Sequence, residues 1–140
     1  MPFERIDSSG DAGLRAWGPD VHAAFSALGE GFYSLLTDTA LVAPAGGLSL
    51  TVKAPTLESL VVKFLNELIH RAEEERFLGA SCDARYSFSG GEYRLSAVIL
   101  GEKFSSKKHT RGLMPKAATY HELQAGPVPD GWEIRVILDA

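Results

Sequence analysis

Three aspartates stand where predicted elements stop, and together they suggest a carboxylate site for a hard cation. Asp11 lies in the small-residue stretch DSSGDAGLRAWG, entering an alternating run. Asp38 lies in SLLTDTA, at the end of a helical pattern. Asp139 closes EIRVILDA, where the chain stops within two residues of an apolar run and sets the Ala140 carboxylate beside the aspartate. Loops and sites gather at element ends. If these groups meet they repel, since two like charges about 4 Å apart cost ~4 kcal/mol at an effective dielectric of ~20. A divalent ion reverses that sign, and carboxylate oxygens suit Ca²⁺, Mg²⁺ or Mn²⁺. The everyday alternative stays open, with Asp38 as a helix-end or turn residue and Asp11 as a turn residue.

The elements that must position these residues show in the hydrophobic period. LRAWG alternates Leu14 and Ala16 against Arg15 and Trp17, a half-buried strand pattern. From Pro19-Asp20 the period changes: Val21, Ala24, Phe25, Leu28, Phe32, Leu35 and Leu36 recur at three and four, which predicts a helix. Gly29 and Gly31 weaken that helix by ~1 kcal/mol each, so a bend or close packing is expected there. GLSLTVKA reads as a strand, and TLESLVVKFLNELIHRAEEE as a second helix that Thr56 can cap. The second half reads mostly as strand. Ser89-Gly90-Gly91-Glu92 signals a hairpin, and AATYHELQ and WEIRVIL flank a turn at Pro127–Gly131. The expectation is one α+β domain over residues 1–140, a mainly antiparallel sheet with two amphipathic helices packed on one face.

Between these strands EKFSSKKHTRGLMPK has no clear period, and loops of such length are usually functional or disordered. It carries Lys103, Lys107, Lys108, Arg111 and Lys116 in a chain with 18 acidic and 14 basic residues, net charge −4. Either partner contact or a flexible, solvated segment would account for it. Familiar catalytic signatures are absent: no P-loop, GxSxG, HExxH or CxxC. YHEL at Tyr120–Leu123 lacks the second His of a zinc helix, and four scattered His with one Cys give no zinc spacing. RAEEER reads as a solvated helix end with pairs such as Arg71 and Glu75, Cys82 as a small core residue, and Trp17 and Trp132 as packing. His70 reads as surface.

Composition narrows the class further. The acidic balance argues against general nucleic-acid binding. One cysteine excludes an internal disulfide, which fits a reducing compartment. No apolar run approaches a membrane span, and the N-terminus lacks a secretory pattern. A cytoplasmic domain with no membrane partner is expected.

SSGDAGLRAWG, LLTDTA, FLNELI, KAATYHEL and WEIRVILDA follow, in order and at similar spacing along the whole chain, blocks that resemble those of the archease family. The resemblance implies a small α+β protein that assists a GTP-dependent RNA ligase in tRNA splicing or RNA repair. Such a protein promotes guanylylation and repeated turnover of the ligase without joining RNA itself, so it is not an enzyme and meets RNA only through the ligase. The resemblance also implies that Asp11 and Asp139 hold a metal ion together with Ala140, and that Asp38 belongs to the same acidic cluster. Lys116, Thr119, Tyr120 and His121 match the block KAVTYHEL and are expected near the metal or at the ligase surface, where the loop residues Lys107, Lys108 and Arg111 would also act. Departures are Ser8 and Ser9 for the family His and Thr, Gly10 for Ala, Phe64 for Trp, Pro115 for an apolar residue and Ala118 for Val. Losing the His puts a proton-transfer or extra-ligand role at that corner in doubt but leaves the acids in place. Two other classes remain, a chaperone-like protein-binding module with no ligase role and a small metal-dependent hydrolase, the latter disfavoured by the missing nucleophile and base.

Overall fold

The computed structural model describes residues 2–8 and 10–140, and the side chains of all of these but 7 and 8. The Ser8 side chain and Ser9, where the family His and Thr are replaced, lie outside that description. Strand β1, Phe3–Ser8, pairs antiparallel with β2, Asp11–Gly18, from Phe3 opposite Ala16 to Ser8 opposite Asp11. The sequence reading has only the second of these strands. Phe3 and Ile6 are an odd number of residues apart, so FERIDS shows no period of two.

Helix α1, Val21–Leu36, begins where the Asp20 carboxylate accepts the Ala23 N–H at 2.9 Å. A turn of 3-10 helix at Thr39–Leu41 follows, then β3, Gly46–Ala54. Helix α2, Leu57–Glu75, starts in a capping box between Thr56 and Ser59, worth about 1 kcal/mol. It stops at Arg76, whose φ of 56° is left-handed. Strands β4, Phe77–Ser89, and β5, Glu92–Lys103, form the expected hairpin. Its turn needs positive φ at both central residues, and Gly90 and Gly91 supply +59° and +76°. After the loop come β6, Ala117–Ala118; β7, Gln124–Val128; and β8, Gly131–Asp139.

Two helices and antiparallel strands agree with the α+β expectation, with one refinement: the strands divide between two sheets. One runs β1-β2-β8-β6, with β7 also on β8; the other runs β3-β5-β4. Helix α1 touches both. A methyl on Gly29 would meet the Cys82 sulfur of β4 at 2.6 Å, while one on Gly31, on nearly the opposite side of the helix, would meet Phe3 of β1 at 3.2 Å. The two glycines therefore serve close packing, within a helix that continues through them. Phe25 of α1 meets Phe64 of α2 edge to face, with ring centres 6.1 Å apart. Cys82 is buried among these contacts, and burial pushes its thiol up to about 12, so it is a core residue and not a nucleophile.

One expected strand is not continuous. Of AATYHELQ, Ala117–Ala118 and the final Gln124 pair with β8, while five residues, 119–123, stand opposite only two, 136 and 137. The extra residues form a turn in which Leu123 N–H donates to the Tyr120 carbonyl and Glu122 takes φ of 54°. Alternation along the sequence cannot reveal such an excursion, because the residues on either side of it keep their pairing with one strand.

Candidate functional site

Strands β2 and β8 pair from Gly18 opposite Trp132 to Ala12 opposite Leu138. Asp11 and Asp139 stand one residue beyond the end of that ladder, Asp11 as the first residue of β2 and Asp139 as the last of β8. Ala12, Leu14, Val136 and Leu138 face the core. Period two turns Asp11 and Asp139 together to the opposite face, along with the polar row Arg15, Glu133 and Arg135. Neither aspartate makes a hydrogen bond or ion pair through its side chain among the described residues. Among the described residues the two side chains thus carry no direct charge partner, as a carboxylate site for a cation would require. Asp139 is fixed through its backbone: Lys116 N–H donates to its carbonyl at 2.7 Å.

Asp38 lies after the C-terminus of α1. One carboxylate oxygen accepts the Ala40 N–H at 3.1 Å, capping the 3-10 turn, and its own N–H donates to Thr110 Oγ1 at 3.0 Å. The turn role left open by the sequence is therefore the one it performs. Among the described residues no three His, Cys, Asp or Glu side chains are gathered to hold an ion, so Asp38 does not close with Asp11 and Asp139 into a ready three-carboxylate cage. The spacing of the acids along the chain carries no information about this separation.

What links Asp38 to Asp139 is the aperiodic loop. A helix end leaves carbonyls without partners, and here Gly112 N–H and Leu113 N–H donate to the Leu36 and Leu35 carbonyls, both at 2.7 Å. Only glycine fits, since a methyl on Gly112 would stand 2.2 Å from the Leu35 oxygen. The loop thus runs from Thr110 at Asp38, across the end of α1, to Lys116 at Asp139.

A buried histidine organises the first half of this loop. His109 is only 6% exposed. Its Nδ1 accepts the Ser105 N–H at 2.9 Å, so the ring proton sits on Nε2, 2.8 Å from Glu102 Oε2. Glu102 also accepts from Ala43 N–H at 2.9 Å and from Lys108 Nζ at 2.6 Å. The Ala43 amide, then Lys108 and His109, lower its carboxyl to about 2. Lys108 is therefore committed to Glu102, whereas Lys107 and Arg111 make no ion pair among the described residues. Arg111 lies over the Phe104 ring at 4.5 Å.

The four residues of the KAVTYHEL block divide by role. Thr119 donates from both N and Oγ1 to the Ile137 carbonyl, at 3.0 and 2.8 Å. Lys116 presents an exposed side chain next to Asp139. Tyr120 is 60% exposed at the turn, and His121 beside it reaches only Glu122, at 3.4 Å. Two positioning residues escape the sequence reading. Asn66 of α2 accepts the Ala118 N–H at 2.8 Å, holding β6 in place, and Thr110 holds Asp38. Asn66 sits on the exposed side of α2, so the hydrophobic period of FLNELI gives no signal that would have singled it out.

The donor set fits a hard divalent ion: oxygen ligands, two unpaired carboxylates on one face, and no thiol or imidazole between them. Were such an ion bound there, Asp11, Asp139 and Ala140 are the residues that would hold it.

Comparison with known proteins gives a consistent picture. Residues 3–140 match the archease protein family (MTH1598/TM1083). Protein archease of Pyrococcus furiosus is 27% identical over 138 residues, covering 98% of this chain and 97% of the relative. Protein archease of Saccharolobus islandicus is 30% identical over 137 residues, covering 98% and 97%. The solution structure of protein 1598 of Methanobacterium thermoautotrophicum superposes with a TM-score of 0.81 at 25% identity, over 99% of each chain. A crystal structure from Thermotoga maritima, described as an archease and possible chaperone, superposes at 0.55 with 16% identity, over 98% and 96%, and shares the fold.

Proposed function

This chain belongs to the archease family, and on that premise we propose that it activates a GTP-dependent RNA ligase through a divalent ion held by Asp11, Asp139 and Ala140. The observation that supports this most is the pair of aspartates at adjoining strand ends, neither with a side-chain partner among the described residues and one fixed by the Lys116 N–H. When bound, the ion would neutralise phosphate charge and align groups for phosphoryl transfer. The chain's own residues supply the geometry. The β2–β8 pair would hold the carboxylates at its end, Thr119 and Asn66 brace the neighbouring segment, and Tyr120 and His121 offer an exposed contact beside it. Docked against the ligase's nucleotide site, this end would deliver or reposition a cation and reset an enzyme after each turnover. Lys107 and Arg111 would reach the ligase or its RNA.

Label transfer from GTP to the ligase tests the proposal, with the ligase in excess over this protein. The native protein should raise the rate of guanylylation, and Asp139→Ala should not, although it should keep the fold because that side chain makes no hydrogen bond or ion pair among the described residues. Equal stimulation by both would contradict the metal role. The alternative is a chaperone-like module that binds proteins without a ligase role; it predicts that Asp139→Ala keeps full activity.

A further inference from the structure

Four cations line one groove with an aromatic ring at the far end of the loop. Arg76 and Arg111 both lie over Phe104, at 5.5 and 4.5 Å from the ring centre. Lys103 and Lys107 line the same open groove with Ser105 and Ser106. None of the four cations makes an ion pair among the described residues, although the chain carries a net charge of −4. The groove adjoins a cleft of about 370 Å³ whose walls include Leu36, Leu78, Leu113 and Met114, with Glu73 as its one acid. The cations were visible in the sequence only in part. Arg76 joins them because α2 ends in a left-handed residue that turns the chain directly into β4.

We propose that this groove and cleft bind a nucleoside phosphate, presented by single-stranded RNA or as a free nucleotide. Four unpaired cations converging on so small a space suit one group of multiple charge, such as phosphate, better than carboxylates carried singly along a peptide. Two guanidinium groups held on the ring are pre-organised, so less side-chain freedom is lost when their N–H forks meet phosphate oxygens. The apolar walls and the Phe104 edge give a planar base somewhere dry to sit, and the Glu73 carboxylate can accept from base N–H groups. A cleft of this size is within the usual range for small-molecule sites. Position adds a further argument. From Arg111 to Lys116, whose N–H holds Asp139, the chain can span at most about 17 Å. A phosphate in the groove therefore lies within one short loop of the carboxylates.

This deepens the ligase reading by naming the group handled beside the acidic end. It rests on that reading only for RNA as a source, and binding measured without ligase can fail or succeed separately from ligase stimulation. Fluorescence anisotropy of a labelled 12-residue single-stranded RNA, titrated with the native protein at several KCl concentrations, is the test, with GTP and polyglutamate as competitors. In Arg76→Gly/Arg111→Ala, glycine keeps the left-handed turn and two cations are lost. RNA binding should weaken at least tenfold, and the slope of log K against log salt should fall by about 1.4, or two contacts at about 0.7 each for a single strand. Lys53→Ala/Arg94→Ala, which removes the same charge from the β3–β5 pair, should bind as the native protein does. Displacement by GTP would identify the free nucleotide as sufficient, and its failure to displace RNA would identify the RNA strand as the source. Absence of RNA and GTP binding, equal weakening in the control variant, or displacement by polyglutamate as effective as by RNA would each overturn the proposal, the last in favour of an acidic protein partner.

Discussion

Replacing Gly112 with alanine should unfasten the loop that joins the acidic end to the basic groove. The added methyl would stand 2.2 Å from the Leu35 carbonyl oxygen and 3.0 Å from the Leu36 carbonyl. Both are backbone, so no rotamer change relieves the clash. The chain must move at residues 111–113, and that movement breaks the bonds from Gly112 and Leu113 to the end of α1, both 2.7 Å long. At about 0.5–1.5 kcal/mol net for each bond, the loss comes to roughly 1–3 kcal/mol. With a urea m-value of about 2 kcal/mol per molar, the unfolding midpoint should fall by about 0.5–1.5 M. Trypsin should also cut faster at Lys107, Lys108 and Arg111 in the variant. Gly126→Ala is the control, since no atom lies within 4 Å of the new methyl. A Gly112→Ala protein with the native midpoint and native resistance to trypsin would refute the idea that this contact holds the loop.

Three other changes test separate parts of the structure. Glu102 has a lowered pKa of about 2, so the unfolded chain takes up its proton first as pH falls. Its stabilising contribution is complete above about pH 4.5 and disappears toward pH 2; Glu102→Gln should flatten the dependence of stability on pH in that window. Tyr33 has a buried hydroxyl with no hydrogen-bond partner among the described residues. Tyr33→Phe should therefore be neutral or stabilising by about 1 kcal/mol, read as a melting temperature raised by up to about 3 °C, and a clear loss would reveal a hidden partner. Asn66→Ala orphans the Ala118 N–H and should cost roughly 1–3 kcal/mol, with faster amide exchange at Ala118 than in the native protein.

The helices and the long strands were legible because each buries a periodic face, and Asp20, Thr56 and Gly90-Gly91 mark their ends in local chemistry alone. β1 was not legible, since Phe3 packs on α1 and Ile6 lies over the opposite face beside Gly13, which leaves no single apolar side to detect. The excursion at residues 119–123 was hidden for a different reason: its cause is a register choice on β8, a long-range fact. Asp11 and Asp139 were readable as acids at strand ends, and they do lie at the first residue of β2 and the last of β8. Asp38 caps the 3-10 turn, and a sequence does not separate that use of aspartate from ligation, since helix ends and turns use it for capping as readily as sites use it for ligation. Glu102, His109 and Arg76 were missed since their roles depend on contacts across the fold: Glu102 reaches Ala43, and Arg76 reaches Phe104.

The most direct measurement is RNA joining by the cognate ligase with RNA in excess, in GTP and Mn²⁺. Three reactions are compared: no added protein, the native protein, and Asp139→Ala shown by its melting temperature to be folded. The account predicts repeated turnover with the native protein and a single round with the variant or without either. Turnover sustained by Asp139→Ala would contradict the claim that the paired strand ends carry the function.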